Sequence, residues 1–278
     1  MQTQGRAERH QAGRLGDLLR SWRAARGVSQ FDLALRSGLS ARHLSFIETG
    51  RTQPSRQALL VIAEALEMPL RERNGLLEAG GYARMYRQTG LDAEEMRHVR
   101  DMLQFILDRH EPYGAVVLDR YWNVMMSNAA AERSLALFTD PSLWTTPPVN
   151  LLRLVFHPLG LRRFVVNWEE VARHLVVRAH REFAAPGGDE SGAALLDELH
   201  RYPGVPPYPS IPPPPRLPDV VIPVHLRKDG VDIRTFSTIM TLGTPQDVTL
   251  QELRVETFFP ADEASDRVLR EINAGKGS

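Results

Sequence analysis

Apolar positions first fall into a helical rhythm at Leu15, Leu18, Leu19 and Trp22, which share one helix face, and Gly27 supplies the stop. Ser29 is placed to cap a second helix reaching residue 37, with Asp32 three residues later completing a capping-box-like pair. Gly38 ends that helix, and Ser40 can cap a third that runs to about residue 49, before Gly50. A fourth follows Pro54-Ser55, turns Leu59, Leu60, Ile62, Ala63 and Leu66 inward, and stops at Met68-Pro69. A fifth covers about 70–79, closed by Gly80-Gly81. This spacing predicts a compact α-helical domain over residues 13–83. Residues 1–12 show no periodicity and read as an unstructured leader.

The rhythm changes after Thr89-Gly90. A helix over about 92–109 reads as a connector, within a linker region spanning 84–110. Runs 115–118 and 123–126 read as two strands joined across Asp119-Arg120-Tyr121, followed by an Ala-rich helix over 128–137. Residues 161–184 carry Phe164, Val165, Trp168, Val171, Ala172, Leu175 and Val176 at helical spacing, and a short helix covers 193–200. Between 203 and 218, nine of sixteen residues are Pro, which cannot pair in a central strand. Three strand-like runs follow, 220–226, 231–242 and 250–259, with Lys228-Asp229-Gly230 as a hairpin turn between the first two. The pattern predicts an α+β domain with an antiparallel sheet over 111–270 and an unstructured tail over 271–278. No internal repeat is visible.

Composition sharpens the division. The 278 residues carry 34 basic and 34 acidic side chains. Residues 1–90 hold 14 Arg against 8 acids, a net of +6, and residues 91–278 hold 18 Arg and 2 Lys against 26 acids, a net of −6. A basic first third suggests nucleic acid as its partner. The absence of Cys removes disulfides, thiol chemistry and Cys-ligated zinc. No apolar run reaches the ~18 residues a membrane span needs, and the basic start lacks the apolar core of a secretory signal. The expectation is a soluble, cytoplasmic protein of two domains that does not engage the membrane.

Two helices joined by a short Gly-containing turn in a basic all-α domain have the form of a helix-turn-helix. Gly38 supplies the turn, and Ala34 lies where a larger side chain would push the helices apart. Spacing alone fits any small helical bundle equally well. The residues themselves, Ser29-Gln30-Phe31-Asp32-Leu33-Ala34, Gly38-Leu39-Ser40 and 44–55 (LSFIETGRTQPS), closely resemble the Cro/CI-type helix-turn-helix family, also called XRE, from about residue 15 to 66. The resemblance implies a five-helix lambda-repressor-like domain that binds double-stranded DNA as a homodimer. Its third helix, here 40–48, enters the major groove, with half-sites about one helical turn (~34 Å) apart. It brings Ala41, Arg42 and Ser45 toward base edges. Arg42 is a candidate for the O6 and N7 of guanine, a pairing worth ~1–3 kcal/mol of discrimination, and equally for a phosphate. His43 could touch either or face solvent. Phe46 stands where relatives carry a polar base reader. Contact with a thymine methyl and packing against the linker helix are both open, with packing favoured. Ser40 opens the recognition helix, and Gln30, Arg51 and Thr52 match positions that grip phosphates. Glu48 matches a residue that pairs with a first-helix Arg, here Arg23.

The second domain shows no Gly-rich phosphate loop and no Gly-x-Ser-x-Gly elbow, so no enzymatic activity is expected. Glu170 with His174 and Asp197 with His200 could each be half a metal site, but read better as surface ion pairs; no metal and no resident cofactor is expected. Residues 112–120 (PYGAVVLDR), Trp122-Asn123-Val124 and Asn128-Ala129-Ala130 look like the opening of a PAS-like fold: strand, strand, helix. Further stretches resemble the MmyB-like transcription regulators, namely 150–154 (NLLRL), His157-Pro158, Asn167-Trp168, 243–248 (GTPQDV) and 256–262 (ETFFPAD). Gly114, where Pro is frequent, and the Pro-heavy 203–218 loop depart from that pattern. The resemblance implies a ligand-sensing module for a small apolar molecule, a bound fatty acid being the type. Apolar candidates for its pocket are Trp122, Met125, Phe156, Trp168, Phe236 and Ile239, and His157, Arg163 or Asn167 could meet a polar head. The competing reading makes the second domain only a dimerisation or protein-interaction module.

Overall fold

The computed structural model describes residues 2–144, 147–184, 188–208 and 223–274, with side chains from residue 13 onward. The expected strand residues 220–222, most of the Pro-rich loop and the tail from residue 275 lie outside the described residues. Contacts divide the chain into two compact units, and the first takes in Met1–Thr89 together with Thr244–Gln251.

The first unit is built on five helices: α1 (Gln2–Ala25), α2 (Gln30–Ser37), α3 (Ala41–Glu48), α4 (Arg56–Ala65) and α5 (Leu70–Ala79). The backbone of residues 2–12 continues α1 in place of the expected leader, a run of good helix formers holding only one glycine. Ser29, Ser40 and Ser55 each accept a backbone N–H from three residues on, which fixes the starts of α2, α3 and α4. Gly38, at φ 69°, takes the left-handed turn between α2 and α3 that a side chain would strain. Leu15, Leu19, Leu33, Leu44, Ile47, Leu59, Ile62 and Leu76 form the core, each stabilising by about 1.5–3 kcal/mol relative to exposure. At Gly16, α1 crosses the end of α3 so closely that a Cβ would sit 2.1 Å from the Glu48 carbonyl oxygen.

Two features of this unit depend on distant sequence. Pro69 begins α5 and offers no side-chain cap. The Leu70 N–H donates instead to the Gln251 side-chain carbonyl at 2.6 Å. Asp247 accepts from the Thr89 N–H at 3.1 Å and from the Thr89 hydroxyl at 2.8 Å, and Val248 N–H donates to the Arg87 carbonyl.

The second unit contains a five-stranded antiparallel sheet ordered β2-β1-β5-β4-β3, made of β1 (Ala115–Leu118), β2 (Val124–Ser127), β3 (Val224–Lys228), β4 (Val231–Met240) and β5 (Arg254–Pro260). Its helices are α6 (Arg97–Arg109), α7 (Ala129–Phe138), α8 (Leu151–Phe156), α9 (Trp168–Phe183), α10 (Glu190–Arg201) and α12 (Glu263–Ala274). A short helix, α11 (Val248–Glu252), precedes β5. Asp229 and Gly230 both take positive φ in the expected hairpin turn. Buried Asn128 accepts from Ala115 and Ala131 N–H groups and donates to the Leu107 and Tyr113 carbonyls, so one side chain joins α6, β1 and α7.

Three sequence expectations differ in detail. The helix over 161–184 divides into a 3₁₀ turn, Leu161–Phe164, and α9. Between them Val165 bridges to Leu226, and the Asn167 side chain donates to the Pro223 carbonyl and accepts from His225 N–H, holding the chain extended. Residues 250–252 of the expected last strand belong instead to a short helix over Val248–Glu252, because Asp247 accepts the Thr249 N–H and turns the chain. Residues 271–274, assigned to the tail, are instead the last residues of α12, which runs through Ala274.

Candidate nucleic-acid interface and apolar core

Glu48 organises the first unit from within. Its carboxylate is nearly buried and accepts from Arg23 Nε at 3.0 Å and Arg23 Nη2 at 3.3 Å, the fork geometry a guanidinium favours. The same carboxylate accepts from Gln30 Nε2 at 3.0 Å. One acid thereby joins α1, α2 and α3, and the expected pairing with Arg23 is present. Gln30 carries an additional structural bond that sequence reasoning missed.

On the outer side, Ala41, Arg42 and Arg51 are exposed, and His43, Ser45 and Thr52 are half-buried. Ser40 spends its hydroxyl oxygen on the His43 N–H, so its first duty is to cap α3. Phe46 is half-buried and lies outside the first unit's core cluster. The Arg42 guanidinium lies 5.3 Å from its ring centroid and that of Arg51 lies 5.9 Å away. An aromatic face four residues after one Arg and five before another was the available signal.

In the second unit the ligand candidates separate. Trp122 and Phe156 are buried in one cluster with Leu152, Val176 and Leu199, and Trp168 packs at its edge, 5.5 Å from Phe156. Phe258 packs against the same cluster, so Phe259, the next strand residue, points to the opposite sheet face. Phe236 stacks on Phe259 at 5.5 Å and is therefore not brought together with Trp122. Ile239 and Met125 are 44% and 43% exposed, which makes them surface rather than core. His157 accepts the Leu159 N–H and serves the turn, Arg163 is exposed and reaches the Leu159 carbonyl, and Asn167 is committed to its backbone clips.

Sequence reasoning missed a charged lattice around Trp122. The indole N–H donates to Glu182 at 2.6 Å, and the Arg178 and Arg254 guanidiniums lie 4.1 and 5.3 Å from the ring centroid. Arg178 pairs with Glu182 at 2.9 Å and Glu256 at 3.3 Å, and Arg254 pairs with Glu182 at 2.5 Å. Arg254 and Glu256, two apart on a largely apolar strand, were the readable sign of charges on one sheet face.

One histidine pairing differs from expectation. Glu170 acts on His174 in the direction that raises its pKa, and also accepts from Asn167, whereas His200 meets His180 with the two Nε2 atoms 3.0 Å apart. The ring centroids are 5.3 Å apart, about that distance plus two ring radii, so the nitrogens point head-on at one another. That is the geometry of a shared N–H···N bond, whereas two metal ligands aim at a third point. Burial, then the neighbouring His200, lowers the His180 pKa, and burial followed by Arg178 and Arg181 lowers that of His174. Among the described residues no group of three or more metal-ligating side chains occurs, and no helix is long and apolar enough to cross a membrane.

Residues 99–272 match the family model described as MmyB-like transcription regulator ligand binding domain, and residues 14–76 match a model described as helix-turn-helix domain. Among solved structures, the crystal structure of the clp gene regulator ClgR from Corynebacterium glutamicum is 28% identical, covers 37% of this chain and 95% of its own, and superposes with a TM-score of 0.23. No curated protein matches.

Proposed function

Since the chain belongs to the MmyB-like transcription regulators and is a DNA-binding regulator, we propose that it reads its operator as a homodimer under the control of a small apolar ligand. The observation that carries the DNA half is α3. Its first turn presents Ala41 and Arg42 to solvent, while Glu48 locks its other end to α1 and α2. In this reading Arg42, Ala41, Ser45 and His43 face the groove, and Ser40, Arg51, Thr52 and the remaining N–H of Gln30 hold the phosphates. The net of +6 over residues 1–90 favours the same partner.

The second unit is the PAS-like sensor in this proposal, supported by its strand–strand–helix opening and the apolar cluster of Trp122, Phe156 and Trp168. A long-chain fatty acid is the ligand type it suggests. Ligand shifts the population between two arrangements of the dimer and so changes the spacing of the recognition helices. Organic extraction and mass spectrometry of purified protein test the sensor, together with thermal shift across fatty acids of increasing length. Recovery of a lipid and a length-dependent shift support it. Repeated recovery of nothing with no shift favours the competing reading, in which the second unit is only a dimerisation or protein-interaction module.

A further inference from the structure

We propose that Phe46 is a positioning residue that holds Arg42 and Arg51 together as one preformed DNA-contacting unit. Two independent sets of contacts lead there. The ring of Phe46 receives both guanidiniums, at 5.3 and 5.9 Å from its centroid. Its backbone carbonyl accepts the Arg51 N–H at 2.8 Å and the Thr52 N–H at 3.3 Å, which fixes the turn after α3. Phe46 thus grips Arg51 by main chain and side chain at once, and Arg42 by side chain one helical turn earlier.

The charge pattern gives these contacts a purpose. Among the described residues, neither Arg42 nor Arg51 has a carboxylate partner, unlike Arg23, Arg73 or Arg84 in the same unit. Two like charges drawn to one ring repel each other, and an aromatic face offsets only part of that. A phosphate or a guanine edge relieves the repulsion when it arrives. A free Arg loses rotamer freedom on ordering, and one already laid against a stiff ring loses less. The ring serves specificity by aiming Arg42 and affinity by aiming Arg51, without itself reading a base.

The test uses the full-length protein, a duplex that the wild type selects from a randomised library, and an unrelated duplex of equal length. Phe46→Leu keeps an apolar helix former and removes the π face, whereas Phe46→Tyr retains the face. Phe46→Leu is expected to weaken binding to the selected duplex about 5- to 30-fold, and Phe46→Tyr to stay within about twofold of wild type. Arg42→Ala added to Phe46→Leu is expected to cost less than the product of the two single losses, since the ring acts through that Arg. In the free protein, NMR is expected to show the Arg42 and Arg51 side-chain protons shifted upfield by the ring and released in Phe46→Leu. Multiplying losses, an altered preference at one base without coupling to Arg42, or unshifted Arg protons each overturn the proposal. The NMR readout needs only Phe46→Tyr and wild type if Phe46→Leu fails to fold. An Arg42→Ala variant that binds like wild type would instead overturn the placement of α3 in the groove.

Discussion

Gln251 caps helix α5 at Leu70 across 181 residues of sequence, its side-chain carbonyl accepting the Leu70 N–H at 2.6 Å. Pro69 cannot perform that service, so the first turn of the helix depends on a residue from the far end of the chain. Gln251→Ala is expected to cost about 1 kcal/mol and lower the melting temperature of this unit by roughly 4–8 °C. Hydrogen exchange at the Leu70 amide should rise in parallel. Gln251→Glu keeps the acceptor and adds negative charge at a helix start, and should restore protection. Unchanged Leu70 exchange in Gln251→Ala would show that the cap is idle.

The Glu48 junction should be far more costly to break. Glu48→Ala leaves the Arg23 guanidinium and the Gln30 amide without their shared acceptor. Loss of a fully buried ion pair costs about 3–5 kcal/mol, and partial exposure of Arg23 places this case near or below the lower end. Thermal unfolding of the full chain, followed by helix signal, measures it. Glu48→Gln keeps one acceptor and should lose less. A melting temperature equal to that of wild type refutes the structural role.

Base and phosphate contacts are separable by selection. Arg42→Ala is expected to relax base preference at one position, with a loss of about 1–3 kcal/mol against the preferred base if guanine is its target. Gln30→Ala is expected to weaken binding to all duplexes alike, and its loss of the Glu48 bond should also lower stability slightly. A randomised-site selection run on both variants distinguishes them. Identical profiles would mean that the two residues do the same work.

Acid should weaken the second unit through its histidines. The folded-state pKa values of His180 and His174 lie below the ordinary value of 6.5, burial being the first cause for both. The unfolded chain therefore binds more protons than the folded one as pH falls through about 6.5, and stability drops. Below the depressed folded values the loss levels off. Melting followed from pH 8 to 5 should show that decline, and His180→Gln with His200→Gln should flatten it in part, leaving the share due to His174. A slope unaltered by the double substitution assigns the effect to other groups.

The helices of the first unit were legible because their boundaries are written locally: Ser29, Ser40 and Ser55 cap within three residues, and Gly38 turns the chain by its own backbone freedom. The hairpin at Asp229-Gly230 was legible for the same reason. What escaped was settled by distant partners. No neighbour of Asn167 in sequence reveals that it will clip residues 223 and 225 and break a helical pattern. The ligand candidates were chosen as apolar and aromatic types, and type does not say which sheet face a strand residue takes; register put Phe236 opposite Trp122. Asp197 and His200 are correctly spaced on one helix, but His200 turns to a histidine on the preceding one. Phe46 was judged by the position it occupies, and its two arginines lie on either side of it in the sequence.

The segment Thr244–Gln251 has a consequence for how the protein comes off the ribosome. At about 5–20 residues per second, the 181 residues between Leu70 and its cap take roughly 10–35 s to make. The helical unit at the start of the chain waits that long with α5 unfinished, and is completed only when nearly all of the second unit has emerged. The first unit thus acquires the cap on the start of its fifth helix late, and synthesis itself sets the order in which its parts become whole.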